Sequence, residues 1–193
     1  MKNLQSFGQT VLIAFNKFAT DTDEEIEVLR KHCEEMGCGF AVNSAFAEGG
    51  KGAMELAELV VKTIDEHPSA PLYFTYDDDE PVEKKIEDVA FNLYGAGSVT
   101  LSDSAKSMIE EIKKLGAEKF PICIAKTQYS FSTDAKAYGP TEGFELHVRD
   151  ITVNMGAEMI VVIAGPIMRM PGLPKSPQAE RIDVVNGEIT GLS

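Results

Sequence analysis

The chain has 193 residues, of which 44% are hydrophobic, and a formal net charge of −13. This length and composition fit one globular domain with a substantial hydrophobic core. The acidic charge excludes a nucleic-acid-binding protein, because a phosphate backbone is bound by a basic surface that releases counterions.

The sequence gives no sign of a membrane or secreted protein. No apolar run reaches the roughly 18 residues that a membrane-spanning helix needs, and the first residues do not form a signal-peptide pattern. We therefore expect a cytoplasmic protein with no membrane partner. Cys33, Cys38 and Cys123 form no even-numbered disulfide framework, which agrees with a reducing compartment. The spacing of the first two does not match zinc ligation, and no metal site is predicted.

The first part of the chain is predicted to fold as strand, helix, strand, helix. The first strand is a continuous apolar run, typical of a strand buried on both faces of a parallel sheet. The first helix has a capping box, since Glu25 follows Thr22 by three residues, and it ends at Gly37. The second helix carries one apolar stripe from Ala53 to Ile64. The predicted elements are a strand at residues 10–15, a helix at 22–36, a strand at 39–43 and a helix at 53–64.

Residues 69–119 are predicted to form a mainly helical lobe. The acidic run at 77–80 precedes Pro81, and acids stabilise the positive end of a helix dipole while proline is tolerated in the first turn. We interpret the run as the start of a helix, with metal binding as the alternative. This helix is predicted to end at Gly95, and a second apolar-striped helix at Gly116.

The remaining residues are predicted to return to the sheet. Residues 121–125 are a short apolar run, 144–153 alternate as a half-exposed strand does, and 159–164 are continuously apolar and therefore central. Asn186-Gly187 is a strong hairpin signal. The predicted fold class is α/β, a mostly parallel sheet flanked by helices with a C-terminal β-hairpin, in a single unit covering residues 1–193.

Loops rich in glycine, aromatic and basic residues follow several predicted strands. In parallel sheets such loops lie at the carboxyl ends of the strands, where open α/β folds bind ligands. Gly49-Gly50-Lys51-Gly52 comes directly before a helix, so its N–H groups either bind an anion or form a flexible helix entry. It is not a P-loop, because the chain has no G-x4-G-K-[ST].

Four aromatic residues in these loops are candidates for ligand contacts. Phe18 and Phe46 either stack on a flat heteroaromatic ring or are core residues. Tyr129 and Tyr138 lie in the long loop at 126–142 and are either ligand contacts or loop packing.

Motifs in order along the chain form a recognisable pattern. The chain has Asn16-x-Phe18-x-Thr20-Asp21-Thr22, Phe46-Ala47-x-Gly49-Gly50-x-Gly52, Ala125-Lys126-Thr127-Gln128-Tyr129-Ser130, Gly143-Phe144, Val148-Arg149-Asp150 and Met168-x-Met170-Pro171-Gly172-Leu173-Pro174-Lys175. Together these motifs resemble the formate–tetrahydrofolate ligase family, specifically its carboxy-terminal third. Two positions depart from the family pattern: Phe46 stands where the family usually has tryptophan, and Glu142 is inserted in its P-T-G-F segment.

The resemblance implies a reaction and a set of site residues. In the family, formate and ATP form formyl phosphate, which N10 of tetrahydrofolate attacks to give 10-formyltetrahydrofolate. The two phenylalanines match the aromatic clamp on the pterin, and the P-T segment matches adenine contacts. The implied residues are Phe18, Phe46, Gly49, Gly50 and Gly52 for folate, Pro140, Thr141 and Gly143 for the nucleotide, with Lys126, Gln128 and Lys175 as loop residues that are either site or scaffold.

The family's P-loop belongs to an amino-terminal portion that this chain does not match. We therefore expect ATP and Mg²⁺ to bind only together with a separate P-loop polypeptide. Three interpretations stay open: a subunit of a split ligase, a folate-binding module without chemistry, and a piece of a longer protein. A homo-oligomer is also left open.

Overall fold

The structure is a computed structural model that describes residues 1–167 and 174–191. Helices and strands alternate through most of this range. The α-helices are α1 (Lys2–Ser6), α2 (Asp23–Glu35), α3 (Ala45–Glu48), α4 (Met54–Glu66), α5 (Val82–Asn92) and α6 (Asp103–Leu115). The strands are β1 (Leu12–Asn16), β2 (Gly39–Asn43), β3 (Ser98–Leu101), β4 (Ile122–Ala125), β5 (Glu145–Asn154), β6 (Met159–Ala164), β7 (Asp183–Val185) and β8 (Glu188–Thr190). No helix in this range is long and apolar enough to span a membrane.

The described strands divide among three sheets rather than one. β1 and β2 form a parallel pair, β3-β5-β6-β4 form a four-stranded sheet, and β7-β8 form an antiparallel hairpin. Within the four-stranded sheet, β3 runs parallel to β5 and β4 parallel to β6, while β5 and β6 are antiparallel. The predicted α/β class, with parallel strands flanked by helices and a C-terminal hairpin, is confirmed.

The pair β1-β2 has a helix on each face. Phe40 and Ile13, paired in register, pack with Ile26 and Cys33 of α2. On the other face Gly39 lies close to the side chain of Leu59 of α4. Burial of β1 on both faces was predicted, and this prediction is wrong: β1 alternates between half-buried and exposed residues, because it pairs with β2 alone in the described range.

The capping box of α2 is confirmed. The Glu25 N–H donates to the Thr22 hydroxyl at 3.2 Å, and the Glu25 carboxylate accepts from the Thr22 N–H at 2.9 Å. The two residues thereby satisfy each other's free N–H groups at the helix start.

We expect Thr22→Ala to lower the free energy of unfolding by about 1 kcal/mol, because it leaves one of these donors without its acceptor. Urea unfolding followed by circular dichroism measures the change. Thr20→Ala is the matched control, since Thr20 is exposed and outside the capping box. Equal losses for both variants would contradict the prediction.

The larger core lies between the four-stranded sheet and the helices α5 and α6. Leu146 and Val148 of β5 and Ile160 and Val162 of β6 are fully buried in it. The predicted central position of β6 is confirmed, since it lies between β5 and β4. The segment 69–119 contains the two predicted helices and also β3, a strand that the sequence analysis did not predict.

The acidic run at 77–80 lies before α5, but its interpretation as the start of the helix is wrong, because none of its side chains caps the helix. The helix starts at Val82, and the cap position is held by Pro81, whose side chain cannot accept a hydrogen bond. Asp79 instead forms an ion pair with Lys119 at 2.6 Å, which lowers the pKa of Asp79 through that hydrogen bond and charge. The run therefore connects the start of α5 to the segment that leads into β4.

Lys85 of α5 is completely buried. Its ammonium group donates hydrogen bonds to the carbonyl oxygens of Asp78 at 2.8 Å, Glu118 at 2.7 Å and Phe120 at 3.3 Å. Burial lowers the pKa of Lys85 by disfavouring its charged form. The three bonds fasten the segments before α5 and before β4 to one helix.

The three cysteines differ in exposure. Cys33 and Cys38 are buried, and Cys123 on β4 is exposed. Burial raises the pKa of the Cys33 thiol, because an apolar environment disfavours the thiolate. β4 is an edge strand of the four-stranded sheet, so Cys123 faces solvent at the margin of that sheet.

Candidate folate and nucleotide site

Two phenylalanines meet at the carboxyl ends of β1 and β2. Phe18 follows β1 by two residues, and Phe46 lies on α3, just after β2. Their ring centroids are 6.3 Å apart and their planes are inclined by 50°. Phe18 is 58% exposed and Phe46 is 91% exposed. The interpretation of these residues as core phenylalanines is therefore wrong, because neither is buried.

The spacing of the two rings sets a condition for a ligand between them. A flat ring stacked between two others needs centroids about 7 Å apart, twice the contact distance of about 3.5 Å between carbon atoms. At 6.3 Å the phenylalanine rings contact each other in a tilted aromatic pair. Because Phe46 is almost wholly exposed, rotation of its side chain opens this space without moving the backbone.

Two asparagines join the strand ends that carry the phenylalanines. Asn16 and Asn43 are register partners at the last position of β1 and β2. The Asn43 side chain donates to Asn16 Oδ1 at 2.9 Å and accepts from the Ala45 N–H at 3.2 Å. The Lys17 N–H donates to the Asn43 carbonyl at 3.0 Å. Asn43 was not among the predicted site residues, although the asparagine at the end of each strand is visible in the sequence.

The loop that carries Phe18 is closed by Asp21. The Phe18 N–H donates to the Asp21 carboxylate at 2.7 Å, and the Asp21 N–H donates to the Phe18 carbonyl at 3.1 Å. Lys17 forms an ion pair with Asp23 at 3.2 Å. These contacts fix the backbone on both sides of the Phe18 ring, so the ring projects from an ordered turn.

The glycine segment after Phe46, which leads into α4, is a 3-10 helix, Gly49–Ala53. Gly49 has φ 62° and ψ −145°, a conformation that a residue with a Cβ rarely adopts. At Gly52, a Cβ atom would lie 2.4 Å from the carbonyl carbon of Ser44. The Ser44 N–H donates to the Gly52 carbonyl at 2.9 Å. The segment therefore folds back on the residue before α3 and fixes the position of Phe46.

A second group of candidate residues surrounds Lys126 in the loop after β4. The Lys126 ammonium lies 4.7 Å from the ring centroid of Tyr94 and 5.8 Å from that of Phe131. It donates to the carbonyl oxygens of Thr127 and Ser130. Burial lowers the pKa of Lys126. Tyr94 was not among the predicted site residues; it lies two residues after the end of α5, far away in the chain.

A cavity of about 450 Å³ lies beside this group. Three residues predicted from the sequence line it besides Lys126, namely Gln128, Tyr129 and Pro140. Its lining residues are Tyr94, Lys126, Thr127, Gln128, Tyr129, Ser130, Phe131, Gly139 and Pro140. Aromatic rings with a few polar groups at the rim are typical of a small-molecule pocket.

The other nucleotide candidates lie next to Gly95. The Gly143 N–H donates to the Gly95 carbonyl at 2.8 Å, and a Cβ on Gly95 would come within 2.7 Å of the Thr141 carbonyl. The Thr141 hydroxyl oxygen is buried and has no hydrogen-bond partner in the described part of the chain. A buried hydroxyl in this state is available to a polar ligand atom.

The candidates thus fall into two groups, one at the ends of β1 and β2 and one around the loop after β4. Lys175 is exposed and does not line the cavity. Most of the motif that precedes Lys175, residues 168–173, lies outside the described residues. Within residues 1–167 and 174–191, no three His, Cys, Asp or Glu side chains converge as a metal site.

Comparison with known proteins identifies the family. The family model of formate–tetrahydrofolate ligase matches residues 1–193. This chain belongs to the formate–tetrahydrofolate ligase family. It is 62% identical over 193 residues to the formate–tetrahydrofolate ligases of Bacteroides fragilis and Phocaeicola vulgatus, and 47% identical over 196 residues to that of a Psychrobacter species.

The match covers the whole of this chain but only part of each ligase. The chain spans 35% of the Bacteroides fragilis ligase and 34% of the Psychrobacter ligase, about a third of the length of these relatives. The remainder of a formate–tetrahydrofolate ligase is therefore polypeptide that the 193 residues do not contain.

Proposed function

We propose that this chain is the folate-binding portion of an ATP-dependent formate–tetrahydrofolate ligase that makes 10-formyltetrahydrofolate. One observation carries the proposal: Phe18 and Phe46 form an exposed ring pair at the carboxyl ends of adjacent parallel strands. Exposed apolar rings are unfavourable in water. A flat pterin ring between Phe18 and Phe46 would bury one face of each phenylalanine and both faces of the pterin.

The surrounding residues support this role by fixing the pair in place. The hydrogen bond between the Asn16 and Asn43 side chains holds the two strand ends together. Both rings therefore stay at the same edge of the sheet. The backbone contact at Gly52 holds the helix that carries Phe46. A preorganised clamp loses less entropy when it closes on its ligand than a flexible loop does.

The loop after β4 fits the adenine end of ATP. Pro140 lines the cavity and offers an apolar contact to a base, and the buried Thr141 hydroxyl supplies one polar contact. The chain has no G-x4-G-K-[ST], the loop that cradles phosphates and places Mg²⁺. We therefore assign the phosphate site to a P-loop polypeptide that acts together with this chain and supplies formyl phosphate.

The clamp is tested by titrating the chain with tetrahydrofolate and following ligand fluorescence. We expect Phe18→Ala to weaken binding about tenfold or more, because it removes one stacked face and its buried area. Phe74→Ala is the matched control. Phe74 is 82% exposed, like the clamp residues. The N–H of its neighbour Tyr73 donates to the Phe7 carbonyl. Because Phe7 precedes β1, Phe74 lies at the opposite end of that strand from the clamp.

An equal affinity of Phe18→Ala and the unmodified chain for tetrahydrofolate would remove the clamp from the proposal. A folate-binding module without chemistry is the second candidate, favoured by the missing phosphate loop. Addition of a P-loop polypeptide with ATP and formate separates the two candidates, because only a ligase portion then yields 10-formyltetrahydrofolate.

A further inference from the structure

Helix α4 has a wide apolar face, and only part of that face packs against the sheet. Leu56, Leu59 and Thr63 are half-buried on the side toward β2. A second row of apolar side chains on the same helix is exposed, and we call it the outer stripe. The outer stripe consists of Met54, Ala57, Val61 and Ile64.

The outer stripe follows helical geometry closely. Its members are spaced three, four and three residues apart, which places them on one face of a helix. Viewed down the helix axis at 3.6 residues per turn, the apolar positions of α4 span about 220° of its circumference. Leu59 lies at one edge of this arc and Met54 at the other. A helix that packs on one side needs an apolar arc of only about 100°. The sequence of α4 is therefore suited to contact with a second partner.

The sheet beneath α4 also lacks neighbours. Within residues 1–167 and 174–191, β1 and β2 pair only with each other, although parallel strands normally occur in larger sheets covered on both faces. Ala14 of β1, on the same face as Leu12 and therefore on the α4 side by strand alternation, is exposed. Both the helix and the sheet thus present apolar surface on the same side.

We infer that the outer stripe of α4 is the docking surface for the remainder of the ligase polypeptide, whether that remainder is a separate subunit or continuous with this chain. The inference rests on the proposed function. The chain matches 35% of the Bacteroides fragilis ligase, so most of a ligase lies outside the 193 residues. Apolar burial on the outer stripe is the interaction that joins the two parts.

The position of α4 favours this occupant over a second copy of the chain. α4 begins directly after the Gly49–Ala53 turn that fixes Phe46. A P-loop polypeptide docked on α4 lies beside the folate clamp, where its formyl phosphate has to reach N10 of the folate. A second copy would cover the same apolar surface but would bring no phosphate loop, since the chain does not contain one.

Coexpression tests the docking surface. The chain is produced with an affinity tag, together with the part of the Bacteroides fragilis ligase that it does not match. We expect the two polypeptides to copurify, and Val61→Asp/Ile64→Asp to lower the copurified amount at least tenfold. The matched control is Val184→Asp/Ile189→Asp on the β7-β8 hairpin, where the two side chains are 63% and 62% exposed, close to the 60% and 64% of Val61 and Ile64.

The outcomes separate this inference from the proposed function. Unchanged copurification of Val61→Asp/Ile64→Asp, or no copurification of the unmodified chain, overturns the docking surface. A dimer of the isolated chain in analytical ultracentrifugation that this variant converts to a monomer also overturns it, in favour of a second copy. Tetrahydrofolate titration of the isolated chain and of the variant is read independently, because Val61 and Ile64 are outside the clamp.

Discussion

Gly52→Ala is expected to lower the free energy of unfolding by about 1–3 kcal/mol and to weaken tetrahydrofolate binding at least tenfold. The added Cβ would lie 2.4 Å from the carbonyl carbon of Ser44, 2.6 Å from its oxygen and 2.8 Å from the nitrogen of Ala45. All three are backbone atoms, so no side-chain rotation relieves the clash. The turn has to shift, and Phe46 shifts with it.

Gly50→Ala is the matched control for the loss of stability, although Gly50 itself belongs to the residues implied for folate. A Cβ on Gly50 meets no atom within 4 Å, and its φ lies outside the left-handed region. Alanine there is expected to be neutral or stabilising by about 0.4–1 kcal/mol, because it reduces the conformational entropy of the unfolded chain. Urea unfolding and folate titration are measured on both variants. Identical unfolding midpoints for the two variants would show that the Gly52 contact is not required.

Lys85→Met is expected to have the largest effect on stability, a loss of about 3 kcal/mol or more in the free energy of unfolding. Methionine keeps most of the apolar stem but removes the donor for the carbonyl oxygens of Asp78, Glu118 and Phe120. A buried polar group that loses its partner costs about 1–3 kcal/mol. Two chain segments that converge on α5 lose their attachment at once.

Lys84→Met is the matched control for Lys85→Met, because it makes the same substitution at an exposed lysine of the same helix. Lys84 precedes Lys85 on the same helix, is half exposed and forms an ion pair with Asp88 four residues later. Ion pairs between helix residues four positions apart contribute about 0.3–0.5 kcal/mol. Guanidinium chloride unfolding of both variants is the measurement. A difference between them of less than about 1 kcal/mol would mean that water replaces the Lys85 ammonium.

Local signals in the sequence predicted much of the fold correctly. Thr22 and Glu25 form the capping box that their spacing indicates. Asn186 and Gly187 both have positive φ in the turn between β7 and β8, as a two-residue hairpin requires. The continuous apolar run at 159–164 is the buried central strand β6. Each of these features depends on residues close together in sequence.

Features that depend on distant partners were not predictable in this way. β3 has only four residues, and its partner is β5, far along the chain. The apolar residues of α4 were predicted to form one stripe, and within that stripe Val61 and Ile64 are exposed. Periodicity shows that an arc of a helix is apolar, but it does not show which part of a wide arc faces the sheet.

The candidate site also has one part that the sequence predicted and one part that depends on distant residues. The proximity of Phe18 and Phe46 follows from a rule of parallel sheets, because neighbouring strands bring their carboxyl ends to one edge. The surroundings of Lys126 follow from no such rule. Its ring contact with Tyr94 joins the loop after β4 to the end of α5, and no spacing in the sequence indicates that pairing.

The unequal exposure of the cysteines makes the chain suitable for site-specific labelling. The raised pKa of the Cys33 thiol and the burial of Cys38 slow their reaction with maleimides. Cys123 is exposed and sits two residues before Ala125, the last residue of β4 and the entry to the loop of Lys126. A single fluorophore attached there, without any cysteine substitution, gives an optical test of the proposed nucleotide binding at the neighbouring loop.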